Sequence, residues 1–191
     1  KPDKGARPLC CGRTFLSVGA VKQAKEEAER TLAALKPFIV RGVPVVGLEP
    51  SCVLTFRDEY PDLLDDPRAA ALAAGSLLLD EFLAAEVAAG RARLPLPADL
   101  PPRQYLLHGH CHQKALARTA PDLKLLRAAG VEVEALDSGC CGMAGSFGFR
   151  RETESASRRI AELSLLPRVR AAQADAFIVA DGFSCREQIE G

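Results

Sequence analysis

The chain has 191 residues, of which 25 are basic and 25 acidic, so its formal net charge at pH 7 is zero. This balance leaves no basic excess to neutralise phosphates, which argues against nucleic-acid binding. No apolar run approaches the ~20 residues that a transmembrane helix needs, and the best candidate, 69–79, ends at Asp80 and Glu81.

The chain opens on a cysteine-bearing stretch, LCCGRTFLSVGA (9–20), in which Cys10 and Cys11 precede Gly12. The residues before it include neither an initiator Met nor an apolar signal segment, so we expect an N-terminally truncated chain that is not secreted. Apolar residues at helical spacing follow and predict an amphipathic helix; they are Val18, Val21, Ala28, Leu32 and Leu35.

The run VPVVGL (43–48) is typical of a buried parallel strand, and Cys52 follows its C-terminal end. An Ala/Leu-rich segment then predicts one long helix, with Asp66 as its N-cap, Pro67 at its first position and Gly90 at its end. Four prolines over 91–103 predict a linker. The expected organisation is a first half (1–94), a Pro-rich linker (95–103) and a second half (104–191).

The second half alternates strands and helices. QYLLHGHCH (104–112) predicts a strand that runs into Cys111, and a helix follows to about Ala129. VEVEAL (131–136) predicts a strand leading into Cys140, Cys141 and Gly142. After a further helix, the predicted strand DAFIVA (175–180) precedes Cys185.

The two halves carry the same pattern. Cys52 follows Cys11 by 41 positions, and Cys185 follows Cys141 by 44. Agreement in order, spacing and residue type indicates an internal duplication. We therefore predict an α/β fold of two pseudo-repeated lobes, with mostly parallel sheets and with cysteines at the strand ends.

Two adjacent cysteines make poor disulfide partners, because their Cα atoms lie ~3.8 Å apart, below the usual ~4.4–6.8 Å. With no export signal, metal or redox chemistry is the leading interpretation. The C-terminal ends of parallel strands converge, so we expect the second-half cysteines to meet at one edge; they are Cys111, Cys140, Cys141 and Cys185. The first-half counterparts are Cys10, Cys11 and Cys52.

The surroundings of these cysteines favour thiolates. A helix after each CysCysGly would direct its N-terminal N–H groups towards the sulfurs, and Gly12 and Gly142 permit a tight turn beside them. Four convergent thiolates suit an iron–sulfur cluster or zinc. Taken alone, Cys52 is more simply a small buried hydrophobe.

Three histidines surround Cys111 in HGHCHQ, at positions 108, 110 and 112. Alternate residues share a strand face, so a histidine metal site is one interpretation. We favour the other, in which His108 and His112 orient the ligands or relay protons from outside the metal.

The combined motifs resemble the CCG cysteine-rich domain family; the words that carry the likeness are CCGRTFLSVG, GLEPSC, HGHCHQKAL, CCGMAGSFGF and IVADGFSCREQI. The resemblance is strongest to the C-terminal iron–sulfur part of FAD-linked oxidase and D-2-hydroxyacid dehydrogenase fusions. It also extends to glycolate oxidase iron–sulfur subunits and to heterodisulfide reductase subunits. It implies that all seven cysteines are cluster ligands: Cys10, Cys11, Cys52, Cys111, Cys140, Cys141 and Cys185.

The departures from the family pattern also matter. The family motif His-x-Pro-Cys-His is matched at His108, Cys111 and His112, while His110 replaces the proline. Heterodisulfide reductase repeats end in Cys-x-x-Cys. In this chain, Thr55 and Gln188 occupy the positions of the last cysteine of that motif. A four-ligand [4Fe-4S] cluster is therefore a better expectation than the five-cysteine cluster of that branch.

The resemblance implies an electron-transfer module of an FAD-linked dehydrogenase that oxidises a 2-hydroxyacid such as D-lactate, glycolate or D-2-hydroxyglutarate. FAD would sit on a separate flavin-binding domain, the electrons would leave to an acceptor, and this chain alone would not turn over substrate. We expect a cytoplasmic protein that meets the membrane only through partners. Two alternatives stay open: a structural zinc module, and a metal-free thiol/disulfide oxidoreductase.

Overall fold

A computed structural model describes residues 7–94, 103–117 and 119–191. The chain forms two compact units. The N-terminal unit extends to Gly47 and continues over Ser51–Leu77, and the C-terminal unit contains Leu48–Pro50 and the described residues from Leu78 onward. Most of the predicted linker, 95–102, lies outside the described residues, so the division into 1–94, 95–103 and 104–191 stays a prediction.

Helices dominate the N-terminal half. The elements in chain order are α1 (Arg13–Leu16), α2 (Val21–Ile39), β1 (Val45–Gly47), α3 (Pro50–Arg57), α4 (Glu59–Leu63), α5 (Pro67–Gly75) and β2 (Ser76–Leu78). Strands β1 and β2 pair in a two-stranded sheet. Helix α2 buries Ala24, Ala28 and Leu32, which recur every four residues, and this spacing is the amphipathic pattern read from the sequence.

The prediction of a single long helix from Asp66 to Gly90 is wrong. Asp66 does cap α5, because its Oδ1 accepts a hydrogen bond from the backbone N–H of Arg68 at 2.8 Å. Helix α5 nevertheless ends at Gly75, and β2 intervenes before α6 (Leu79–Ala88). The hydroxyl of buried Ser76 donates to the Leu72 carbonyl at 2.7 Å, so this side chain competes with the helical backbone and the chain turns into the sheet.

A parallel sheet organises the C-terminal unit. Its elements after α6 are β3 (Tyr105–Leu107), α7 (Cys111–Leu116), α8 (Ala120–Ala128), β4 (Val133–Ala135), α9 (Glu154–Glu162), α10 (Leu165–Arg170), β5 (Phe177–Val179) and α11 (Phe183–Glu190). The strand order is β4-β3-β5. Tyr105 aligns with Val133 on one side and with Phe177 on the other, and both pairings are parallel. The predicted α/β class is confirmed.

The second-half cysteines each come shortly after one of the three strands. Parallel strands end at one edge of the sheet, so these cysteines lie at that edge. In the first half, α1 begins at Arg13, directly after CysCysGly. In the second half, the predicted helix is α9, which begins at Glu154 after a turn and a 3₁₀ segment, Phe147–Phe149. Helices also begin at or near other cysteines: Cys111 is the first residue of α7, and Cys185 is the third of α11.

No helix in the described ranges is long and apolar enough to cross a membrane.

Candidate metal centre

The four second-half thiols form a connected chain of contacts. Cys140 hydrogen-bonds with the thiols of Cys111 and Cys141, and Cys141 in turn contacts Cys185. Cys141 is 4% exposed and Cys185 is 1% exposed. They border an apolar cluster that includes Leu106, Leu136 and Leu165. The structure thus brings together sulfurs from three separate strand ends, and two of the four cysteines are buried.

The pKa values of these four thiols are shifted in different directions. Contact with Cys111 and Cys141 lowers the pKa of Cys140, and contact with Cys141 lowers the pKa of Cys185 to about 5. Contact with Cys140 and burial raise the pKa of both Cys111 and Cys141. Four thiolates cannot be held this close without a positive charge between them. Bound protons supply that charge when no cation does, and a metal centre would replace them.

A buried histidine adjoins the chain of thiols. His108 is fully buried, and its Nδ1 lies 2.7 Å from the Ser138 hydroxyl. Its Nε2 has no hydrogen-bond partner among the described residues. The ring contacts the Cys185 thiol, and this contact adds to that of Cys141 in lowering the pKa of Cys185. His110 is 8% exposed, and its ring packs against Gly182. His112 is a half-buried residue in the first turn of α7.

The first-half cysteines also meet. The Sγ atoms of Cys11 and Cys52 lie 3.2 Å apart, and this contact outweighs burial and lowers the pKa of Cys11 to about 7. Cys10 contacts Cys11 as well. Thr31 donates to the Cys10 carbonyl at 2.8 Å, and the fully buried Tyr60 lies nearby with its pKa raised by burial. A neutral phenol adds no negative charge beside the thiols.

The CysCysGly turn has the same geometry in both halves. Gly12 and Gly142 have φ values of 86° and 91°, a region that favours glycine. The Gly12 N–H donates to the Cys10 Sγ at 3.4 Å, and the Gly142 N–H donates to the Cys140 Sγ at 3.3 Å. A Cβ on Gly12 or Gly142 would press on a helix carbonyl, that of Ala24 or Ser157 respectively. Each glycine therefore lets the cysteine pair lie directly against a helix.

Sequence reasoning missed several residues that support these sites. Lys114 donates to the carbonyls of Ser138 and Gly139, which fixes the loop just before Cys140. Ser138 orients His108, while Thr31 and Tyr60 line the first-half thiols. Lys114 and Ser138 lie close to cysteines in the segments HCHQK and DSGCC. A single lysine or serine at such a position does not by itself predict a role at the site.

A carboxylate group, absent from the sequence-based predictions, lies elsewhere in the C-terminal unit. Oxygens of Asp80, Asp122 and Asp181 lie within 4.8 Å of one another. The Gln113 amide donates to Asp122 at 2.7 Å. Burial, followed by the charges of Asp181 and Asp80, raises the pKa of Asp122 to about 9. Asp122 is therefore protonated at neutral pH.

This proton makes stability depend on pH. The unfolded Asp122 titrates near ~3.9, so between about pH 4 and pH 9 the folded state binds an extra proton and loses stability as pH rises. The loss is at most about 1.4 kcal/mol per pH unit. We expect Asp122→Asn to flatten this slope and to be more stable than wild type at pH 8 in urea unfolding. Exposed Asp62→Asn is the control, and parallel slopes for wild type and Asp122→Asn would contradict the assignment.

Together, the parallel sheet and the strand-end thiols define a cysteine-rich α/β domain. Comparison with known families agrees: residues 105–190 match the model described as CCG, Cysteine-rich domain. Residues 105–190 thus carry the CCG cysteine-rich domain, and the predicted resemblance to this family is confirmed over that segment.

Curated relatives include dehydrogenases and a lactate utilization protein. The chain is 31% identical over 187 residues to a component of the anaerobic glycerol-3-phosphate dehydrogenase of Escherichia coli K12, covering 97% of this chain and 46% of that protein. It is 31% identical over 168 residues to D-2-hydroxyglutarate dehydrogenase of Pseudomonas putida, covering 85% and 15% respectively. Lactate utilization protein A of Bacillus velezensis is 31% identical over 151 residues, which are 74% of this chain and 59% of that protein. No solved structure matches.

Proposed function

We propose that this chain is an iron–sulfur electron-transfer module of a flavin-linked dehydrogenase. In this proposal Cys111, Cys140, Cys141 and Cys185 ligate one [4Fe-4S] cluster. Cys10, Cys11 and Cys52 contribute to a second centre in the N-terminal unit. Such a cluster supplies a one-electron relay, and its potential responds to hydrogen bonds at sulfur and to solvent exposure.

The arrangement of the sulfurs carries this proposal. Around one zinc ion, four sulfurs at ~2.3 Å from the metal would all lie ~3.8 Å from each other. Across residues 7–94, 103–117 and 119–191, no three cysteine sulfurs lie within 4.8 Å of one another. The second-half thiols contact one another in pairs: Cys111 with Cys140, Cys140 with Cys141, and Cys141 with Cys185. Four sulfurs that do not gather around one point suit a polynuclear cluster better than a single zinc ion.

The surrounding groups would hold such a cluster in place. The Gly142 N–H already donates to the Cys140 Sγ, and the buried His108 ring contacts the Cys185 thiol. An N–H donor at sulfur suits a ligand that carries negative charge. Lys114 fixes the loop that carries Cys140 and places a positive charge near it. The apolar cluster behind Cys141 and Cys185 limits the access of water.

The relatives support a flavin domain as the partner and two candidate substrates. This chain spans about half or less of the length of most of the relatives it matches, so a flavin domain and the substrate site would lie outside these residues. A 2-hydroxyacid is our first candidate substrate, supported by the likeness to D-2-hydroxyglutarate dehydrogenases and to a lactate utilization protein. Glycerol 3-phosphate is the second, supported by likeness over 97% of the chain.

Anaerobic purification tests the cofactor. We expect bound iron and acid-labile sulfide in comparable amounts, visible absorbance that bleaches with dithionite, and an electron paramagnetic resonance signal in the reduced protein. Zinc bound in place of iron, or anaerobic protein that neither contains nor accepts iron and sulfide on reconstitution, would overturn the proposal. Mixing the loaded protein with its flavin partner then separates the substrates, because only the right one bleaches the cluster.

A further inference from the structure

Two thiols of the N-terminal unit lie closer together than a shared metal would hold them. The Sγ atoms of Cys11 and Cys52 are 3.2 Å apart, against ~3.8 Å for two sulfurs on one zinc ion and more on a cluster. A disulfide bond needs about 2.05 Å, so the atoms have only about 1.2 Å to travel. Either metal centre requires the pair to separate, whereas a disulfide requires only this small approach.

We propose that Cys11 and Cys52 form a reversible disulfide in the metal-free protein, with a hydroperoxide such as hydrogen peroxide as the oxidant. The peroxide oxidises one thiol to a sulfenic acid and leaves as water. The second thiol then attacks that sulfur, the S–S bond forms, and a second water leaves. Two thiols lose two electrons and two protons in total, and one peroxide becomes two waters.

The local structure favours a bond between Cys11 and Cys52 over a bond between Cys10 and Cys11. Cys10 and Cys11 are sequence neighbours, whose short Cα separation disfavours a bond between them. Cys52 lies in the first turn of α3, on a different element from the CysCysGly turn, so the bond joins two separate parts of the unit. Cys11 is 9% exposed and Cys52 is half-buried, which leaves an approach for a molecule as small as peroxide.

The disulfide and a metal centre would compete for the same sulfurs. The existence of the bond does not depend on the proposed function; only the competition does. Oxidised protein would fail to load a centre in the N-terminal unit until a dithiol reduces the bond. The second-half thiols would load independently of this bond.

Peptide mapping tests the bond in the purified, reduced protein after removal of metal with a chelator. After peroxide treatment, non-reducing trypsin digestion should link residues 5–13 to residues 42–57, with a mass about 2 Da below the sum of the two peptides. Dithiothreitol should abolish the linked peptide. The same treatment in concentrated urea should give little of it, because the contact depends on the fold.

Variants identify which cysteine of the first peptide is involved. Cys10→Ser should keep the link, while Cys11→Ser and Cys52→Ser should each lose it, with circular dichroism confirming that every variant is folded. A link that survives Cys11→Ser but not Cys10→Ser would overturn the assignment. So would separate peptides carrying sulfinic acid in folded wild type. Iron binding by the untreated protein is measured in parallel, so failure of the disulfide and failure of the proposed cluster give different results.

Discussion

Cys185→Ala is expected to remove the second-half centre and, with it, about half of the iron and sulfide that the protein binds anaerobically. Cys185 is 1% exposed and touches both the Cys141 thiol and His108, and an alanine at this position has no atom that can bind a metal. The side chain is small, and its loss should cost about 1 kcal/mol of folding stability. Iron and sulfide analysis measures the first effect, and urea unfolding measures the second.

Val131→Ala is the matched control. Val131 is 8% exposed and packs in a separate cluster with Leu107 and Val133, so its truncation also removes core packing but touches no thiol. We expect a similar loss of stability with iron and sulfide unchanged. If both variants bind as much iron as wild type, Cys185 is not a ligand.

Gly142→Ala is expected to cost about 3 kcal/mol of folding stability and to prevent cluster assembly in the second half. Two effects add at this position. A side chain is strained at φ 91°, and the new Cβ would press on the Ser157 carbonyl, which is helix backbone and cannot rotate away. Relief of the contact would push the Cys140–Cys141 turn off α9. Urea unfolding and iron analysis measure the two consequences.

Two other glycines separate the causes. Gly130 has φ 75° but nothing within 4 Å of a Cβ, so Gly130→Ala should cost only about 1 kcal/mol. Gly139 has neither a positive φ nor a neighbour within 4 Å, and Gly139→Ala should change stability by less than about 0.5 kcal/mol although it lies next to Cys140. A cost for Gly142→Ala no larger than for Gly130→Ala would show that the contact with α9 is unimportant.

The candidate site was largely predictable because its candidate ligands are cysteines, which are rare residues. Cysteine pairs followed by glycine occur twice, and each further cysteine follows an apolar run that reads as a strand. The rule that parallel strands share an edge then predicts that Cys111, Cys140–Cys141 and Cys185 meet, and the structure brings them into contact. Their role as ligands stays a prediction until metal is measured.

Local patterns failed where long-range contacts decided the structure. The segment 67–88 is uniformly Ala/Leu-rich and reads as one helix, yet Ser76–Leu78 pairs with β1, some thirty residues earlier in the chain. Helix propensity is a weak preference, and a buried strand pairing overrides it.

The sequence by itself determined the α/β class, the seven thiols and the two glycine turns, because these depend on periodicity, residue chemistry and local backbone freedom. Only the tertiary structure decided which sulfurs touch, that Cys11 and Cys52 lie 3.2 Å apart, and that Asp122 shares a buried site with Asp80 and Asp181. Apart from the neighbouring cysteine pairs, those contacts join residues some 30 to 100 positions apart. Their distances follow from how whole helices pack, which no local pattern encodes.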